Sequence, residues 1–331
     1  MIEKTETKHF DSIDILRGLA SFMVAYFHFT VGVRNFLNDN NILKITGHFG
    51  WAGVEMFFVI SGFVIPYSMY RSNYKIKNIK SFLIRRIARI DPPYLISIIL
   101  VLIFQFLSTL NPYYRGNSFA IDWISLVLHL GYLNAFFEYN WLNPVYWTLA
   151  IEFQYYIIIA LILPFIIHKN KFINYITIIL FAFLGYLFPS STFIFHYSLL
   201  FILGILLFYY KFNFMKKNEF YIISTIILYL IFYKLGYIVF LSAFIAYLVI
   251  FLVDNNKNKI LKFGGKISYS LYLIHVPIGG RIINLADHFI ENEIYKSIAV
   301  FFAMALSIFA SWIFYKLIEN PSIDLSKKIK Y

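Results

Sequence analysis

The sequence predicts an all-α membrane protein, a polytopic helical bundle of about ten transmembrane helices with both termini cytoplasmic. Three observations lead there. Of 331 residues, 60% are hydrophobic and only 14% charged, and the mean hydropathy is +0.69, which leaves too little polar composition for a soluble domain. Apolar runs long enough to cross a bilayer recur along the chain with short connections between them. The lysines and arginines fall almost entirely in alternate connections, as the positive-inside rule requires.

Spans are read near 13–33, 48–70, 92–110, 145–167, 172–188, 193–210, 220–233, 236–253, 267–286 and 296–317. With the N-terminus inside, the inner segments hold twenty-two Lys and Arg, and the outer segments hold Arg34, Lys44, Arg115, Lys234 and Lys296. Arg17 and Arg281 fall within spans. This asymmetry accounts for the net charge of +12 without a nucleic-acid partner. The stretch 121–137 is apolar enough to span, but counting it would put the basic segments after Phe165 outside. It is read as a short interfacial or re-entrant helix on the outer side. There is no cysteine, which excludes disulfides and thiolate chemistry. The charged N-terminus precedes a span too long and too polar for a cleaved signal, so the whole chain, 1–331, is expected to be one integral membrane domain.

The first span holds Asp14, Arg17 and His28. Ionisable groups in lipid cost several kcal/mol unless they face a cavity or a partner. Arg17 and His28 are eleven positions apart, about three turns and about 16 Å along one helix face. Ser21 falls near the same face, which gives the helix a polar stripe. Asp14 and Arg17 would also suit a snorkelling pair at the interface.

The second span adds Glu55, Ser61 and the small residues Gly50, Ala52, Gly53 and Gly62. The glycines are expected to serve close helix packing. A carboxylate in lipid, by contrast, either becomes neutral or finds a cation. Glu152, in the fourth span, lies at a depth similar to Glu55 and His28, about 8–11 Å below the outer edge of the apolar core. Equal depth does not establish contact.

The densest basic run, Arg71 to Arg89, ends in RRIARIDPPY. It serves topology and attraction to anionic lipid, and it can also capture a phosphorylated ligand. Arg85, Arg86 and Arg89 recur at helical spacing, and guanidinium forks suit phosphate oxygens. Pro92 and Pro93 are expected to begin the next span.

Taken together, the Arg-Gly and His28 of the first span, FFVISGF at 57–63, RRIARIDPPY, WTLAIE at 147–152, ISYSLYLIHVP at 267–277 and IENP at 318–321 resemble the acyltransferase-3 family of integral membrane acyltransferases, in the family's order and over nearly the whole chain. The resemblance implies transfer of an acyl group, usually acetyl, from cytosolic acyl-CoA (acetyl-CoA first) to hydroxyls of cell-envelope carbohydrates such as O-antigen, capsule or peptidoglycan, or in some members to antibiotics or other lipid-linked sugars, at the inner (plasma) membrane. It implies that His28 and Arg17 are the essential first-helix pair, and that Arg86 and Arg89 are the spaced arginine pair beside the membrane. Fused members carry an extracytoplasmic hydrolase-like domain, whereas this sequence runs ten residues past Pro321. The expected donor site is Arg85, Arg86 and Arg89, with Arg17. His28 is expected to act as general base or acyl carrier, with Glu152 or Glu55 orienting it. Ser61, Trp147 and His275 are further pocket candidates. Glu319 with Pro321 is expected to cap and end the last span. The histidines show no metal-ligand spacing. A proton-coupled transporter or flippase of a sugar or lipid-linked glycan is the rival class, since intramembrane histidine and carboxylates would serve it equally well.

Overall fold

The computed structural model describes residues 10–111, 118–253 and 258–330. Among them there are helices and no strands: α1 (Asp11–Thr30), α2 (Ile42–Gly47), α3 (Gly53–Arg71), α4 (Ile79–Thr109), α5 (Trp123–Leu130), α6 (Tyr146–Ile166), α7 (Lys171–Leu187), α8 (Ser198–Lys211), α9 (Lys217–Leu235), α10 (Tyr237–Leu252), α11 (Lys259–Phe289), α12 (Glu293–Phe314) and α13 (Asn320–Lys328). Lys4, Lys8, Arg115 and Lys257, which enter the charge asymmetry, lie outside the described residues.

Six helical stretches among the described residues are long and apolar enough to cross a membrane, and α7 and α10 are shorter apolar helices. Two expected spans, α1 and α11, are not among these, because their polar side chains dilute their hydropathy. These same two helices pack more extensively on each other than any other pair. Small residues permit the approach. A Cβ on Gly265 would collide with the backbone of Asp14, and one on Gly18 would come within 2.9 Å of the Gly264 carbonyl carbon. The two polar helices thus pack against each other, backbone close to backbone.

α8 shows the opposite pattern. It is apolar on every side, and every residue from Ser198 to Tyr209 is buried, as expected for a helix in the middle of a bundle. It meets α3 where Gly62 and Gly204 each lie against the partner's backbone. Outward-facing Ile99, Ile103, Phe183, Phe232, Phe301 and Phe309 are exposed, an apolar belt of the kind lipid covers.

Two expected boundaries are corrected. Pro92 and Pro93 do not begin a helix; they lie inside α4, which runs unbroken from Ile79 to Thr109. At 31 residues that helix is about 46 Å long, more than the roughly 30 Å apolar core of a bilayer, so its arginine-rich first half extends the span toward the basic end. Glu319 and Pro321 do not cap and end the last long helix either. Tyr315–Glu319 forms a π-turn and the chain continues as α13. A proline cannot donate to the carbonyl four residues earlier, and a wide turn absorbs that lost bond while re-aiming the side chains within it.

The 121–137 stretch contains α5, eight residues long and therefore about 12 Å, too short to cross. It is held by Asp122, which caps the Ser125 amide at 3.0 Å, and by the buried His129. That ring bonds the Ser125 carbonyl at 2.6 Å and accepts from the Leu142 amide at 3.0 Å. The role of His129 is structural.

Candidate active site

A cavity at the basic end is walled by α1, α3, α4, α6, α11 and the π-turn. It is lined by Arg17, Ser61, Arg86, Arg89, Thr148, Glu152, Tyr156, Tyr269, Tyr272 and Glu319, with Ile13 and Phe57 among its apolar residues. Arg17 comes from the early part of α1. Arg86 and Arg89 are three apart on α4 and thus share a face. Among the described residues none of the three guanidinium groups is in an ion pair. Arg86 stacks over Phe82 and Tyr156, at 5.3 and 5.6 Å, and its Nε is buried without an acceptor. Glu319 is close enough to Arg17 and Arg89 to interact with both, but its Oε2 is held by Ser270, at 3.1 Å from the amide and 2.6 Å from Oγ. Glu152 accepts from Tyr156 Oη at 2.5 Å and from Ser61 Oγ at 3.4 Å. Three cations thus face two carboxylates, and the carboxylates are bonded to hydroxyls rather than to the cations. A cavity of this kind can take an anion with guanidinium forks to spare.

His28 does not line this cavity. It lines a second one, toward the other end of the bundle, together with Gly32, Gln105, Asn143, Arg281 and Asn284. The layer between the two comes mainly from α11 and α6. Tyr272 Oη bonds Thr148 Oγ1 at 2.5 Å and the Val145 carbonyl at 3.1 Å. One turn further along α11, His275 is fully buried, with its ring centroid 5.2 Å from that of His28.

The remaining sequence candidates are dispersed. Arg85 lines neither cavity. Asp14 lies against Gly265. Trp147 packs on Phe58 and Tyr197 and faces a separate recess with Trp141 and Gln154. Glu55 is buried, its Oε2 without a partner. Its electrostatic neighbours include Tyr197 and Tyr272. Glu152 faces the arginine cavity, and the side chain found against the His28 ring is His275 and not a carboxylate. Sequence reasoning missed Tyr156, Tyr269, Tyr272 and Thr148 as lining groups. The available signal was helical spacing: Thr148 and Tyr156 lie four residues either side of Glu152. Glu319, whose IENP context reads as a cap, lines the cavity instead. Among the described residues no group of three or more His, Asp or Glu could hold a metal ion.

Comparison with known proteins is decisive on family. Residues 10–316 match the family model described as "Acyltransferase domain". The chain belongs to the acyltransferase-3 family. Named proteins similar to this family member include O-acetyltransferase OatA of Staphylococcus aureus (strain NCTC 8325 / PS 47), 31% identical over 129 residues, covering 37% of this chain and 21% of that protein. Another is "Putative O-acetyltransferase SACOL0978" of S. aureus (strain COL), 26% identical over 374 aligned positions, covering 95% of this chain and 57% of that protein. This acyltransferase-3 chain thus spans 21% to 57% of the length of these curated relatives. No solved structure matches it.

Proposed function

We propose that the protein is an O-acyltransferase of the inner (plasma) membrane. It moves an acyl group, acetyl first, from cytosolic acyl-CoA to a hydroxyl of a cell-envelope carbohydrate such as O-antigen, capsule, exopolysaccharide or another lipid-linked glycan. One observation carries this reading. A cavity with three arginines against two carboxylates and a cavity containing His28 approach the same Tyr272–His275 layer from opposite ends of the bundle. A reaction whose donor and acceptor arrive from different sides of a membrane needs such an arrangement. The acetyltransferase names of the relatives support the acyl group and the reaction class.

The basic end faces the cytosol under the positive-inside rule. Arg86, Arg89 and Arg17 hold the donor phosphates, and the buried Nε of Arg86 gains its missing acceptor there. The pantetheine arm extends along the cavity past Tyr272, which places the thioester near His28. On the other side, Gln105, Asn143, Arg281 and Asn284 supply donors and acceptors for a sugar. The acceptor oxygen attacks the thioester carbonyl carbon, so an O–C bond forms and the C–S bond breaks. The hydroxyl proton passes to the His28 imidazole and from there to the leaving thiolate. The neutral imidazole has the lone pair this requires. An acyl-histidine route divides the same exchange into two steps, with the imidazole nitrogen attacking first.

The test is turnover of radiolabelled acetyl-CoA by the purified protein in proteoliposomes, wild type against His28→Ala. Label should leave CoA in the wild type alone. Equal turnover by both proteins would remove His28 from the chemistry. Donor binding in neither would favour a proton-coupled transporter or flippase.

A further inference from the structure

His275 has an unusual pair of environments on its two nitrogens. Nδ1 lies 2.8 Å from the Leu271 carbonyl oxygen, and because a carbonyl only accepts, Nδ1 carries the proton. In the neutral ring Nε2 is then a bare lone pair. It is buried and without a hydrogen-bond partner among the described residues. A buried acceptor left unmade is costly, so its occurrence needs a reason.

Among the rings around it, one can donate. His275 lines neither cavity. Its aromatic neighbours are Phe29, Tyr272 and His28, at 6.0, 6.3 and 5.2 Å between centroids. Phe29 has no polar atom, and Tyr272 donates its hydroxyl elsewhere, to Thr148 or the Val145 carbonyl. The His28 ring is the nearest. Imidazole atoms lie roughly 1.15 Å from the ring centre, so two facing nitrogens at this centroid separation would be about 2.9 Å apart, hydrogen-bond distance. The torsion that turns a histidine ring is broad. Gly279, where a Cβ would strike Phe29 and Ser307, lets α11 approach α1 closely at this level.

We propose that His275 is the positioning residue for His28. Its Nε2 accepts the N–H of the His28 imidazole, which fixes one tautomer and leaves the other nitrogen, with its lone pair, toward the cavity where the acyl group arrives. His275 exchanges no proton with substrate and forms no covalent bond. This inference rests on the reading of His28 as the reacting group.

The experiment compares wild type, His275→Phe, His275→Gln and His28→Ala, each with 15N-histidine labelling in lipid nanodiscs. Phenylalanine keeps a ring of similar size and removes the acceptor; glutamine restores an amide oxygen. The wild-type spectrum should show His28, identified by its absence in His28→Ala, as one tautomer with a coupling across an N–H···N bond to His275. His275→Phe should show mixed tautomers and a kcat lowered about 10- to 100-fold, with KM for acetyl-CoA and for acceptor changed less than about twofold. His275→Gln should recover most of the lost kcat. Wild-type kcat in His275→Phe, or a wild-type spectrum without the coupling, would overturn the proposal. If His275→Phe does not fold, the wild-type spectrum and His275→Gln still decide. Full activity in His28→Ala would instead overturn the role of His28, while the spectrum would still report whether the two rings are paired.

Discussion

Tyr272 and Thr148 share a 2.5 Å hydrogen bond between α11 and α6, and this contact forms part of the floor of the arginine cavity. The Tyr272 hydroxyl also reaches the Val145 carbonyl at 3.1 Å, so one side chain ties two positions of α6 to the helix that carries His275. Under the proposed reaction the donor arm has to pass this point. Tyr272→Ala should open it. Water then gains access to the thioester, and hydrolysis of acetyl-CoA should rise relative to transfer to an acceptor. Tyr272→Phe keeps the ring and loses both bonds, but the Val145 carbonyl still accepts from Thr148 Oγ1 at 3.0 Å, so the loss should cost only about 0.5–1.5 kcal/mol. Thermal unfolding in detergent measures the second effect, and the ratio of free acetate to acylated product measures the first.

The arginines should separate by position. Arg86→Ala and Arg89→Ala each remove a charge-assisted contact worth about 1.5–3 kcal/mol, so donor affinity should fall about 10- to 100-fold while acceptor KM stays put. Arg85→Ala should change donor affinity far less, because Arg85 does not line the cavity. Arg86→Lys should not restore binding, since an ammonium lacks the planar fork that pairs two phosphate oxygens. Equilibrium binding of CoA decides this without any turnover. Equal loss from all three alanine variants would make the run a general electrostatic attractant.

How much of this could be read from the sequence depends on which geometry a residue number encodes. Depth is encoded by a fixed rise per residue, and Arg17 and His28 lie on one unbroken helix as their spacing required. Azimuth between helices is not encoded. Glu55, Glu152 and His28 were placed in one layer, yet Glu152 faces the arginine cavity and His28 the other. The pairing of His28 with His275 depends on how closely α1 and α11 approach, and that is set by glycines distant in sequence, Gly18, Gly264 and Gly265. Glu319 was hidden for another reason: IENP reads as a helix end, and only a π-turn lets the chain continue through it.

Glu319 gives a prediction with an unusual sign. Its carboxylate lies near Arg17 and Arg89 and offsets part of their attraction for an anion. Glu319→Gln keeps an oxygen that can accept from Ser270 and removes the formal charge. CoA binding should therefore tighten by a few-fold, with the increase shrinking at high salt. Glu319→Ala leaves the buried Ser270 hydroxyl without its carboxylate acceptor and should cost about 1–3 kcal/mol of stability. Isothermal titration of both variants checks the pair; weaker binding in Glu319→Gln would mean that the carboxylate orients the arginines instead of competing for them.

The helix contact that brings His28 to His275 can be tested by two adjacent glycines. A Cβ on Gly264 would meet only the Gly18 Cα at 3.6 Å, an ordinary contact, whereas a Cβ on Gly265 would collide with the backbone of Asp14. Backbone cannot step aside as a flexible side chain can. Gly265→Ala should push α11 away from α1 and destabilise the protein by about 1–3 kcal/mol, while Gly264→Ala should be neutral or slightly stabilising because alanine is the better helix former. Thermal unfolding in detergent separates the two. The displacement in Gly265→Ala should also move His275 off His28, so its acyl-transfer kcat should fall at temperatures where the protein is still folded. If Gly264→Ala and Gly265→Ala melted alike and turned over alike, the close crossing of α1 and α11 would not be what sets the histidine pair.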